Sequence, residues 1–94
     1  MTETDRNRIA ALIRSWRAFE STHAKTAEEV QLLTQIACEA IAERHSRSQL
    51  LANSAIQALR DKVTPIAETL GFDAQNDREF LFWATSVCLY LTAA

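Results

Sequence analysis

The chain has little of what β-sheet proteins need: its 94 residues include one glycine and one proline, and no segment alternates apolar and polar residues. All-β folds require many turn residues, so this scarcity excludes them and favours helices. A single glycine also excludes the glycine-rich phosphate loops of nucleotide-binding proteins. We therefore expect an all-α protein.

Excess positive charge, long apolar runs and paired cysteine motifs are also missing. The formal net charge of −2 argues against nucleic acid as the main partner, because phosphate-backbone binding needs a basic surface. The apolar segment near the C-terminus has about 15 residues, whereas a membrane span needs roughly 20, and the polar N-terminus does not match a secretory signal. Cys38 and Cys88 lie in apolar helical patterns, so we expect both to be buried and reduced in a cytoplasmic protein without membrane contact.

Apolar residues at helical spacing fill most of the chain. They recur at intervals of three and four residues, which is the pattern of an amphipathic helix with one buried face. The pattern predicts a single domain over residues 1–94, folded as a compact bundle of four helices. We place these helices at about residues 4–20, 26–45, 49–70 and 77–92.

Capping and helix-breaking residues mark the ends of these helices. Thr26 with Glu29 matches the capping-box pattern at the start of the second helix, and Asn76 with Glu79 matches it at the start of the last. Pro65 has no backbone N–H, which predicts a kink or short break within the third helix. Gly71 lies where a left-handed residue commonly ends a helix.

The last helix contains the most apolar segment of the chain, residues 80–91, and we expect it to be the central helix of the bundle. Phe82 and Leu89 point away from its main apolar face. A domain of this size cannot enclose one helix on every side. These two side chains are therefore candidates for an intermolecular contact.

Residue pairs that bind metals or perform catalysis are missing from the pattern. The sequence has no His-x-x-x-His, Glu-x-x-His or Cys-x-x-Cys, and Glu39 and Glu43 share the predicted solvent side of their helix. We therefore expect no metal, no cofactor, no small-molecule substrate and no enzyme activity. A helix-turn-helix around residues 44–48 is a weaker hypothesis, because its turn lacks the usual glycine.

Large apolar side chains exceed what one small core holds, and this surplus suggests a function by contact. We expect a non-catalytic cytoplasmic regulator or inhibitor that masks a functional surface of a target protein, for example an anti-activator of a transcription factor or a phage-type inhibitor. Tryptophan and arginine dominate binding energy at many protein interfaces. The expected partner-binding residues are Arg14, Trp16, Arg17, Leu32, Phe82 and Leu89.

Two alternatives remain open at this point. The first is a self-associating adaptor or structural subunit of a larger complex. With either function we expect a homodimer through Phe82 and Leu89. The second is a regulator that binds DNA directly.

Overall fold

The structure is a computed structural model that describes residues 2–93. All regular elements within these residues are helical, which confirms the all-α prediction. None of the described helices combines the length and the apolar content that crossing a membrane requires. The α-helices are α1 Glu3–Thr22, α2 Ala24–Ala42, α3 Arg47–Ala52, α4 Ser54–Val63, α5 Ala67–Leu70 and α6 Asp77–Thr92, with one turn of 3-10 helix at Thr64–Ile66.

The first two helices are almost continuous. Thr2 caps α1 by accepting a hydrogen bond from the backbone N–H of Asp5 at 3.1 Å, and α1 then extends to Thr22, beyond its predicted end. Only His23 separates it from α2. The predicted capping box at Thr26 is therefore wrong, because Thr26 already lies inside α2. The segment between the two helices contains no glycine or proline, so nothing in it ends a helix early.

The predicted third helix is broken twice. The break at Pro65 was expected and takes the form of the short 3-10 turn. The break at Asn53 was not expected. The backbone of Asn53 is extended, and its side-chain oxygen accepts hydrogen bonds from the N–H groups of Ala55 and Ile56. This side chain starts α4 as an N-cap and leaves α3 with six residues. The helix that starts at Arg47 is therefore shorter than the single helix that the helix-turn-helix hypothesis assumed.

The turn between α5 and α6 follows its sequence signals. Gly71 is left-handed at φ 88°, as predicted, and Phe72 folds back so that its backbone N–H donates to the carbonyl of Ala67 at 3.1 Å. The Phe72 ring stacks on Trp83 with ring centres 4.8 Å apart. Asn76 accepts a hydrogen bond from the backbone N–H of Glu79, which confirms it as the N-cap of α6.

The core lies where α6 packs against both α1 and α2, and α2 also packs against α4. Trp16 of α1 meets Trp83 of α6 edge to face, with ring centres 6.0 Å apart, and both rings are fully buried. The outer side of α6 faces solvent. It carries Phe82 half-buried and Leu89 exposed, as the helical pattern predicts.

A disulfide joins Cys38 of α2 to Cys88 of α6, with their Cα atoms 5.7 Å apart. The prediction of reduced cysteines is therefore wrong. Cys88 is buried and Cys38 is half-buried, and the apolar pattern indicates such burial but not pairing. The packing of α2 against α6 brings the two cysteines together, although they are 50 residues apart in the chain.

Candidate functional site

The residues predicted to bind a partner do not form one surface. Trp16 is 0% exposed and belongs to the core, so it cannot contact a partner, and its assignment to the binding set is corrected. Its place in the main apolar stripe of α1 is the physical reason, because that stripe is the one that packs on α6. Arg14 is exposed on α1, and Leu32, Phe82 and Leu89 are accessible on two other helices.

Arg17 connects the C-terminal part of α1 to α6 through contacts with Tyr90. Its Nε donates a hydrogen bond to the hydroxyl of Tyr90 at 3.2 Å, and its guanidinium lies 5.4 Å from the centre of the Tyr90 ring. The hydrogen bond to Tyr90 raises the pKa of Arg17 above its ordinary value. Arg17 is thus engaged within the molecule, which makes it a weaker candidate for partner binding than Arg14.

Leu32 has an exposed neighbour that the sequence pattern assigned to the buried stripe. Ile36 lies one helical turn after Leu32 on α2, and the two side chains are 56% and 57% exposed respectively. The predicted stripe on α2 was too wide: successive residues turn by about 100°, which takes Ile36 away from its buried neighbour Ala37.

The clearest concentration of interface-type residues lies on the outer side of α6. Arg47, Arg78, Leu81, Phe82 and Thr85 line a surface groove of about 280 Å³, which we call the arginine groove. The guanidinium of Arg8 lies over the Phe82 ring, 4.6 Å from its centre.

Three helices contribute the cations of this surface. Arg8 comes from α1 and pairs with Glu79 at 3.5 Å, which holds it in place over Phe82. Arg47 is the first residue of α3, and Arg78 lies in the first turn of α6. Within residues 2–93, Arg47 and Arg78 form no ion pair. Their charges are therefore available to a partner.

Caps in the sequence fix where two of these arginines lie. Ser46 accepts a hydrogen bond from the backbone N–H of Gln49, and the Gln49 side chain accepts one from the N–H of Ser46, so α3 starts at Arg47. Asn76 caps α6 by accepting a hydrogen bond from the backbone N–H of Glu79. The helix therefore begins at Asp77, one residue before Arg78. Leu89 extends the surface, since it lies two turns after Phe82 on the same side of α6.

The sequence pattern predicted that Phe82 and Leu89 are candidates for a contact surface. It did not predict that Arg8, Arg47 and Arg78 lie near them. Each arginine is an ordinary exposed residue in its own helix. The signal that could have helped is local: Arg78 lies four residues before Phe82, on the same side of α6. The sequence pattern does not indicate that α1 and α3 also lie near this side of α6.

Other surface features are weaker candidates for a functional site. A cleft of about 480 Å³ lies beside Gly71 and is lined by Glu68, Asp73 and Glu79 among others. No group of three or more metal-ligating side chains occurs within residues 2–93. Comparison with protein-family models, curated proteins and solved structures finds no match.

Proposed function

We propose that the protein is a non-catalytic regulator that binds another protein and masks a functional surface of it, as an anti-activator of a transcription factor or a phage-type inhibitor does. The observation that supports this proposal is the arginine groove. There, a half-buried phenylalanine lies under one arginine and beside two others that have no ion-pair partner within residues 2–93. Aromatic and arginine side chains are enriched among the residues that dominate protein–protein binding energy.

The chemistry of the groove favours an acidic, partly apolar segment of the target. Its carboxylates would pair with Arg47 and Arg78, and its apolar side chains would cover Phe82 and Leu89. Exposed ion pairs contribute less than about 1 kcal/mol each. Covering a leucine or phenylalanine contributes about 1.5–3 kcal/mol when it becomes fully buried. The apolar contact therefore supplies most of the affinity, while the arginines select the partner and set its orientation.

A protein target suits this surface better than nucleic acid does. Backbone phosphates would use the arginines but would leave Phe82 and Leu89 uncovered. The net charge of −2 also opposes the approach of a polyanion, whereas a local groove still attracts a short acidic segment.

The proposal is tested by capturing target from extract of the native host. We expect the double variant Arg47→Glu/Arg78→Glu to lose capture while its circular dichroism and melting temperature stay unchanged, because both side chains are exposed. The matched control is Arg6→Glu/Arg14→Glu, which makes the same change in charge on exposed positions of α1. Loss of capture by the control, with capture retained by the groove variant, would contradict the proposal and indicate the Arg14 face.

A cytoplasmic location remains a proposal, and the Cys38–Cys88 disulfide removes the support that free cysteines would give it. Disulfides persist in oxidising compartments, and in the cytoplasm they are usually transient. Acid trapping of the thiols in the native cell, followed by mass spectrometry, distinguishes the two. Fully oxidised protein under unstressed growth would overturn the cytoplasmic location.

A further inference from the structure

A second exposed apolar surface lies on α2. Leu32 and Ile36 are one turn apart on its outer side, and both are more than half exposed. Glu28 lies one turn before Leu32, and Glu39 lies three residues after Ile36. Neither carboxylate forms an ion pair within residues 2–93. We call these four residues the acidic face.

The acidic face and the arginine groove are complementary. Each contains two apolar side chains, Leu32 and Ile36 in one and Leu81 and Phe82 in the other, and Leu89 extends the second surface. The negative carboxylates of the first surface are opposite in charge to the unpaired arginines of the second. Two surfaces that complement each other in both charge and apolar content are the requirement for a specific contact.

One copy cannot bring its own two surfaces together. The disulfide shows that the side of α2 bearing Cys38 faces α6. Cys38 is two residues after Ile36, which is about 200° around the helix, so the acidic face points away from α6. The complementary surface has to come from another molecule.

We propose that the acidic face of one copy docks into the arginine groove of a second copy. A symmetric contact between two like surfaces is disfavoured, because it would bring carboxylate against carboxylate or guanidinium against guanidinium. The head-to-tail contact leaves one free groove and one free acidic face, so the assembly grows with concentration or closes into a ring.

This contact also regulates the proposed activity, a consequence that rests on the proposed function. An acidic target segment and the acidic face of a neighbouring copy compete for the same groove. Self-association therefore lowers the number of grooves that are open to the target, and the target dissociates the assembly.

The test is sedimentation velocity on the pure protein with two variants, each blocked on one surface. Leu32→Ser/Ile36→Ser removes the apolar centre of the acidic face, and Arg47→Ser/Arg78→Ser removes the charge of the groove. All four side chains project at the surface, so both variants are expected to fold. We expect the unmodified protein to form species larger than a dimer, with weaker association at high salt. Each variant alone should be a monomer.

The decisive sample is the equimolar mixture of the two variants. One variant supplies an intact groove and the other an intact acidic face, so the mixture should form a one-to-one dimer that does not grow further. A monomeric unmodified protein at its highest soluble concentration, association retained by either variant alone, or a mixture that stays monomeric would each overturn the inference. Because no target is present, none of these outcomes bears on target capture, which the preceding experiment measures separately.

Discussion

Among residues 2–93, two have left-handed backbone angles, and the energetic cost of that conformation differs between them. Gly71 has φ 88° and ends α5, while Arg44 has φ 60° and follows α2. Glycine adopts this region freely because it has no Cβ. A residue with a side chain pays about 1–2 kcal/mol for it. The two positions should therefore respond in opposite directions to substitution.

We expect Gly71→Ala to lower the free energy of unfolding by about 1 kcal/mol, as measured by urea denaturation. A Cβ at position 71 would come no nearer than 3.9 Å to the Oγ of Ser15, so the loss comes from the backbone rather than from a clash. Gly71→Asn is the control and should lose less, because asparagine tolerates this region. Arg44→Gly should raise the free energy of unfolding, by up to about 1 kcal/mol. Equal effects at both positions would contradict this account.

At the scale of the elements, helix ends decide the course of the chain. Asn53 has the largest effect, because its side chain ends α3 and starts α4 by satisfying two backbone N–H groups. α4 then packs against α2, where Lys62 and Glu29 form an ion pair at 2.7 Å. The hydrogen bond and charge of Lys62 hold the pKa of Glu29 below its ordinary value. This pair is exposed, so salt screens it, and the apolar contacts of α4 hold the two helices together.

We expect Asn53→Ala to lower the free energy of unfolding by about 1 kcal/mol, because it leaves the N–H groups of Ala55 and Ile56 without their cap. Asn53→Asp keeps a side-chain acceptor at the same place and should retain most of the stability. Thermal unfolding followed by circular dichroism measures both. A stable alanine variant with increased helicity would show instead that α3 and α4 join into the single helix that the sequence pattern predicts.

At the scale of the whole molecule, the disulfide connects the two helices that carry the two exposed surfaces. It closes a loop with a sequence separation of 50 residues between α2 and α6. A link of this length restricts the unfolded chain far more than it restricts the folded one. The chain-entropy relation gives about 4 kcal/mol of stabilisation for a loop of this size.

Reduction should therefore lower the free energy of unfolding by about 4 kcal/mol. Urea denaturation with and without dithiothreitol measures this. The control is Cys38→Ala/Cys88→Ala, which should match the reduced protein and show no response to the reductant. Persistence of full stability after reduction would mean that the packing of α6 alone sets the stability of the bundle.

The sequence determined the features that depend on near neighbours. Gly71, Pro65 and Asn76 act within one or two turns of the chain, so their structural roles could be predicted from residue type and spacing. The outward direction of Phe82 and Leu89 follows in the same way from the helical repeat of α6. All-α architecture is the sum of such local preferences, reinforced by the scarcity of glycine and proline.

Tertiary structure decided the features that depend on which helices meet. The Cys38–Cys88 pair, the removal of Trp16 from any exposed surface and the grouping of Arg8, Arg47 and Arg78 around Phe82 all join residues of different helices. A helical pattern gives the direction of a side chain relative to its own axis. The identity of the facing neighbour depends on how the helices pack, and this arrangement minimises exposed apolar area over the whole chain at once.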